Sequence, residues 1–196
     1  MKKTLLILVM SCFLLNQSCK DKDPTYANTH ELSEEMMTYF VNFEVGTKWI
    51  YLDTIDKNNY DTIELISKKN FDVDLGNGTL QKGFELYYKP KKSKDFKVFV
   101  SAGNNKTYYV KVDPLVTAAG KIVFENNNGT WTTGVTFFDS VEITGNKYYS
   151  VINSKSSNSY QQDMSISKNT GIISFWKTRG PGVLDNYYKL IKCIKP

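Results

Sequence analysis

Few residues of this chain have the chemistry for catalysis. The single histidine, His30, stands near the start, so a Ser-His-Asp or Cys-His site would have to rest on it alone. A zinc centre needs more nitrogen and sulfur donors than the chain can bring together. Carboxylates are more plentiful: Asp53, Asp56, Asp61, Glu64, Glu85, Glu125, Asp139 and Glu142 fall on or near stretches of strand character. A pair of them is the one acid–base arrangement the sequence could build, as in glycoside hydrolysis. Their spacing singles out no pair, and carboxylates on strands are expected to face water. Asp72-Val73-Asp74-Leu75-Gly76-Asn77-Gly78 begins like a calcium loop but has Gly76 at the third ligand position. It then has Gly83 where a bidentate glutamate is wanted, so a hairpin tip is expected instead. No catalytic residue, metal ligand or cofactor site is assigned, and the expected function is non-enzymatic.

A second kind of chemistry is more evident. Four tyrosine doublets, Tyr87-Tyr88, Tyr108-Tyr109, Tyr148-Tyr149 and Tyr187-Tyr188, lie in stretches that read as strands. Adjacent strand residues point to opposite faces, so each doublet sends one ring each way. On a curved sheet one set would line a concave groove, with apolar walls and hydroxyl tips suited to a lipid or glycan. The competing use of the same rings is plain packing, since tyrosine suits half-buried strands.

The elements that hold these residues are mostly strands. Ser33 caps a short helix over Glu34–Phe40, with Glu34 and Glu35 in its first turn and Met36, Met37, Phe40 and Val41 for an apolar side. From Phe43 onward the helical spacing gives way to strand signals. Strands are expected at Trp49–Asp53, Asp61–Val73, Thr79–Tyr88, Phe96–Ser101, Thr107–Val112 and Lys121–Glu125. Further ones follow at Trp131–Phe138, Val141–Thr144, Lys147–Asn153, Gln161–Ser167, Gly171–Lys177 and Asn186–Cys193. Turns at Gly76-Asn77-Gly78, Gly103-Asn104-Asn105, Gly145-Asn146 and Asn169-Thr170-Gly171 separate several of them. The expected fold is mainly β, with about ten short strands at hairpin spacing in an antiparallel sandwich or a curved half-barrel or barrel.

Composition agrees. The chain has 13 Tyr and 11 Phe, and its 25 basic and 20 acidic residues give a net charge of +5. That balance is too mixed for a nucleic-acid partner. The one basic cluster, Lys89-Pro90-Lys91-Lys92-Ser93-Lys94, reads as a solvated loop and, second, as a contact for an acidic partner or phospholipid head groups. Of three cysteines, Cys193 falls in an apolar C-terminal strand pattern and reads as a structural thiol.

The N-terminus carries the address. Lys2 and Lys3 precede an apolar run ending at Leu15, which is too short for a span of about 20 residues and right for a secretory signal. Ser18-Cys19 follows, then Lys20-Asp21-Lys22-Asp23-Pro24. This arrangement resembles the type II signal peptide of bacterial lipoproteins, which implies cleavage before Cys19 and acylation of its thiol by palmitate-class chains. Cys12, after Val9-Met10-Ser11, is the alternative, but cutting there leaves a very short apolar region. Lys20–Asp23 is similar to the lysine-plus-acid surface-export signal of Bacteroidetes lipoproteins. The other reading of that stretch is an ordinary solvated tether, so periplasmic and surface-exposed locations both stay open.

The expected organisation is thus a signal peptide over residues 1–18, a lipidated tether over 19–30 with His30 solvated, and one β-rich domain over 31–196. The opening motif Phe43…Gly46…Trp49-Ile50-Tyr51 and the closing motif Ser167–Phe175 with Tyr188-x-Leu190-Ile191 together resemble small Bacteroidetes lipoproteins. The resemblance implies a β fold and an envelope address. Asp53-Thr54-Ile55, Asp61-Thr62-Ile63 and Asp139-Ser140-Val141 resemble the O-glycosylation acceptor of the same group, which would make Thr54, Thr62 and Ser140 modification sites. The expectation is a cell-envelope, outer-membrane lipoprotein with a lipid- or glycan-binding face. The alternative is a structural or interaction subunit of an envelope complex, with a carboxylate hydrolase third.

Overall fold

A computed structural model describes residues 25–92, 95–103, 108–113, 122–127, 130–131, 134–155, 163–177 and 186–196. Cys12 and the expected anchor Cys19 lie outside the described residues, and so do the tips of several loops.

The helix forms where its cap predicts. Ser33 is extended and its Oγ accepts the Met36 N–H, 3.2 Å away. One α-turn over Glu34–Met36 passes into a wider π-turn over Met37–Val41; together they form α1. Met36, Tyr39, Phe40 and Val41 are buried. The far end of α1 is closed by a side chain from the sheet: the Lys68 ammonium donates to the Val41 and Phe43 carbonyls, at 3.1 Å each. Those carbonyls have no helical partner, and a lysine at a helix C-terminus also meets the dipole favourably.

Among the described residues thirteen strands make one sheet. They are β1 (Asn28–His30), β2 (Lys48–Asp53), β3 (Tyr60–Asp74), β4 (Thr79–Pro90), β5 (Phe96–Ala102), β6 (Tyr108–Asp113) and β7 (Ile122–Asn127). The rest are β8 (Thr130–Trp131), β9 (Val135–Ile143), β10 (Asn146–Lys155), β11 (Asp163–Ser167), β12 (Gly171–Lys177) and β13 (Asn186–Ile194). From β2 to β8, and again from β9 to β13, each strand pairs antiparallel with its successor, and β13 pairs back onto β2. The two ends of this order, β8 and β9, are joined by only residues 132–134, a connection that reaches about 14 Å at full stretch. A twelve-strand meander whose edges must lie that close has to roll up. Cα atoms of β7 and β10 come within 8 Å accordingly. Of the expected architectures the curled half-barrel is the one found, with no backbone ladder joining β8 and β9 among the described residues.

Alternation explains which side faces in. Phe96, Val98, Val100 and Ala102 of β5 are buried, as are Trp49, Tyr51 and Asp53 of β2. Two bulges flank β2 and help bend the sheet there. Ile66 is the extra residue between the Leu65–Tyr88 and Ser67–Tyr87 pairs, and Ile191 the extra one between Leu190–Tyr51 and Lys192–Ile50. Both isoleucines are left exposed by the bulge.

Among the described residues the strands number thirteen against twelve expected spans, because β1 and the two-residue β8 carry no alternation to read and two expected spans form one strand. Two sequence expectations need correction. The expected breaks at Asp139-Ser140 is absent, and β9 runs through it. The tether does not stay free to residue 30: Asn28–His30 pairs in parallel with Thr79–Gln81, and His30 is half-buried rather than solvated.

Candidate functional site

Among the described residues α1 packs into the common core with the inward side chains of the sheet, and the pocket among Tyr39, Tyr88, Val98, Met164 and Ile172 is about 10 Å³. That holds about one water and no lipid or sugar.

The doublets do split between faces as adjacent strand residues must. Tyr88 is buried, stacked on Phe96 at 5.0 Å and tilted against Trp49 at 5.7 Å, and burial pushes its hydroxyl well up. Tyr188 is buried and stacked on Phe175 at 5.0 Å. Their partners turn outward. Tyr87 donates its hydroxyl to Asp95, a bond that raises its pKa, and Tyr187 lies 3.4 Å from Ser174 Oγ with Lys189 over its ring. Tyr108 and Tyr109 pair with Ala102 and Ser101 through the backbone, while their side chains lie outside the described residues. Tyr88 and Tyr188 are therefore core residues, while Tyr87, Tyr149 and Tyr187 lie on the other side of their strands.

One doublet does open onto a pocket. The two-residue turn Thr144-Gly145, both at positive φ, sets the β9–β10 register that places Lys147 opposite Glu142 and Tyr149 opposite Ser140. Tyr148 tucks half-buried against the core, and burial, then the nearby Cys193, raises its hydroxyl. Tyr149 points out and is 61% exposed, with the Lys147 ammonium 5.4 Å from its ring centre. Ser150 follows in the left-handed region at φ 48°, uncommon for a residue with a Cβ, and its carbonyl accepts the Lys168 N–H.

The other wall is the β11–β12 turn. Ser167 Oγ donates to the Tyr149 carbonyl at 2.9 Å, binding the walls together. Asn169 is left-handed at φ 60°, and its N–H donates to the Thr38 carbonyl of α1, 2.9 Å away. Between the walls lies a groove of about 330 Å³, lined by Lys147, Tyr149, Ser150, Lys168, Asn169 and Thr170 among others. Its volume falls in the range of small-ligand sites. It offers an aromatic face, two ammonium groups, hydroxyls and an amide. No carboxylate, histidine or cysteine lines it.

The acids that sequence reasoning placed in water are elsewhere, and two are buried. Asp53 and Asp61 are 0% and 1% exposed. Asp53 accepts from the Ile55 N–H at 3.0 Å, from Asn59 Nδ2 at 3.3 Å and from Asn186 Nδ2. Asp61 accepts from the N–H groups of Thr62, Lys91 and Lys92 at 2.8, 3.1 and 3.1 Å. Burial raises the Asp53 pKa, but these donors and the Asp56 N–H outweigh it and hold the carboxyl below its ordinary value. The signal for Asp53 was local: an aspartate accepting from the N–H two residues on closes an Asx-turn, a habit of Asp and Asn at strand ends.

The remaining expected sites are placed individually. Thr54 is half-buried and its Oγ1 donates to the Tyr187 carbonyl at 3.0 Å. Thr62 and Ser140 are half-buried on β3 and β9. Cys193 is a free, half-buried thiol whose pKa is raised by burial. Among the described residues no cluster of His, Cys, Asp or Glu could hold a metal, and no helix is long and apolar enough to cross a membrane. No protein-family model, curated protein or solved structure matches this chain.

Proposed function

We propose that the chain is a non-enzymatic cell-envelope lipoprotein, anchored to an outer membrane through acylated Cys19, whose β-domain binds a lipid or glycan in the Tyr148–Tyr149 groove. One observation carries the ligand-binding part: a groove of about 330 Å³ holding an exposed tyrosine between Lys147 and Lys168. A sugar or head group stacks its apolar side on such a ring and gives its hydroxyls to Ser150, Asn169 and Thr170. No carboxylate lines this groove, so the hydrolase reading has no acid–base pair to offer there.

The test is purification from the native membrane, mass spectrometry of whatever small molecule accompanies the protein, and titration of that molecule into variants. Tyr149→Ala is expected to weaken binding about tenfold or more, the loss of one stacked ring at roughly 1–2 kcal/mol. Unchanged affinity in both Tyr149→Ala and the Lys147→Ala/Lys168→Ala double variant would contradict it. A specific observation keeps the interaction-subunit reading alive. β9 pairs only with β10 among the described residues, and it exposes Phe137 and Phe138 side by side. Recovery of a stoichiometric protein partner with no small molecule would favour that reading.

A further inference from the structure

β1 fixes where the chain enters the domain. It runs parallel to the start of β4, and the N–H groups of Ala27 and Asn28 both donate to the Gly78 carbonyl, at 2.8 and 3.2 Å. Tyr26 Oη lies 3.4 Å from Asp74 Oδ2. The tether therefore meets the domain at the tip of the β3–β4 hairpin, at the end of the sheet away from the buried Asp53 and Asp61.

That tip projects. β5 pairs with β4 as far as Gly83–Ser101, whereas the β3–β4 ladder continues to Asp74–Leu80, about 10 Å further at strand rise. On the projecting part Leu75 is 45% exposed and Val73 39%. The acids beside them are engaged within the hairpin: Asp72 pairs with Lys82 at 3.0 Å, and Asp74 accepts the Gly76 N–H at 2.8 Å. The turn's own backbone is satisfied, with Leu75 N–H donating to Thr79 O and Thr79 N–H to Gly76 O. Val73 and Leu75 alternate with Asp72 and Asp74, so the apolar side of the tip can meet a head-group layer while the acids on the other side stay in water.

We infer that the β3–β4 hairpin tip is a second membrane contact, resting on the bilayer that holds the anchor with Leu75 and Val73 at the boundary between head groups and acyl chains. The inference rests on the proposed anchor at Cys19. From Cys19 to Tyr26 is seven residue steps, a reach of about 25 Å at full extension. So short a tether keeps the tip at high effective concentration beside the surface, where two apolar side chains too weak to bind alone suffice to orient the domain.

The test uses the full lipidated chain in phosphatidylethanolamine–phosphatidylglycerol vesicles, with Cys193→Ala and one environment-sensitive nitrobenzoxadiazole label. The label is placed at Leu75→Cys or, for comparison, at Ile55→Cys. Ile55 is 48% exposed in the turn after β2, at the opposite end of the strands. The label at 75 is expected to emit several-fold more strongly, shifted to the blue, and to be quenched by shallow spin-labelled lipids, while the label at 55 stays aqueous. Matching aqueous emission at both positions, in protein that floats with the vesicles, would overturn the docking and leave the anchor standing. Protein that does not float would remove the anchor and the docking together.

Discussion

Trp49→Ala is expected to destabilise the domain by about 3–5 kcal/mol, the range for truncating a large buried aromatic. Trp49 is 2% exposed on β2 and joins three parts of the chain. Its ring meets Phe43 edge-on at 5.3 Å and lies 5.7 Å from Tyr88 of β4. Its Nε1–H donates to the Thr170 carbonyl, 2.6 Å away and 121 residues along the chain. Trp49→Phe keeps an aromatic ring but leaves that carbonyl unpaired, and should cost about 1–3 kcal/mol. Because Thr170 lines the Tyr149 groove, the milder variant should also loosen ligand binding. Urea midpoints at unchanged slope give the stability change. A loss under 1 kcal/mol for Trp49→Ala would mean that the strand is not pinned to the β11–β12 turn as described.

The second large effect belongs to Asp53. Asp53→Ala removes the acceptor shared by Ile55, Asn59 and Asn186, leaving the buried Asn186 amide and two part-buried donors without it, at a cost of about 3 kcal/mol. The effect is pH-dependent with a definite sign. The folded-state pKa lies below the unfolded one, so the carboxylate's contribution is fully present above an unfolded value of about 3.9. It is lost as pH falls from there through the folded value. Wild-type stability should therefore drop more steeply than that of Asp53→Ala as pH falls below about 4, and the two should converge. Parallel pH profiles would show that Asp53 is not held as an ionised acceptor.

Local signals were legible in the sequence where one residue type settles the backbone. Ser33 caps α1, Gly76-Asn77-Gly78 turns β3 into β4 with all three residues at positive φ, and Phe96–Ala102 alternates strictly. What the sequence hid was set by distant partners. The β13–β2 pairing joins strands more than 130 residues apart, and nothing near Trp49 or Cys193 announces it. The bulges at Ile66 and Ile191 read as ordinary apolar positions, because the extra residue is apparent only against the neighbouring strand. Asn28–His30 has no apolar alternation and is a strand by virtue of its backbone ladder to β4 alone.

The tyrosines show the same division. Their split between faces follows from strand geometry, but which inward rings would face a groove depended on what fills the concavity. α1 and the core aromatics fill it, so Tyr88 and Tyr188 pack while Tyr149 stays open. The groove itself depends on two left-handed residues: Asn169, in a turn the sequence announces, and Ser150, in a strand sequence that gives no warning of it.

The acyl anchor is the central claim, since it sets the address, the short tether and the orientation of the domain. It is tested most directly by feeding cells an alkyne fatty-acid probe and comparing wild-type protein with Cys12→Ser and Cys19→Ser. The account predicts label and membrane association in wild type and Cys12→Ser, and neither in Cys19→Ser. Label retained in Cys19→Ser would contradict it.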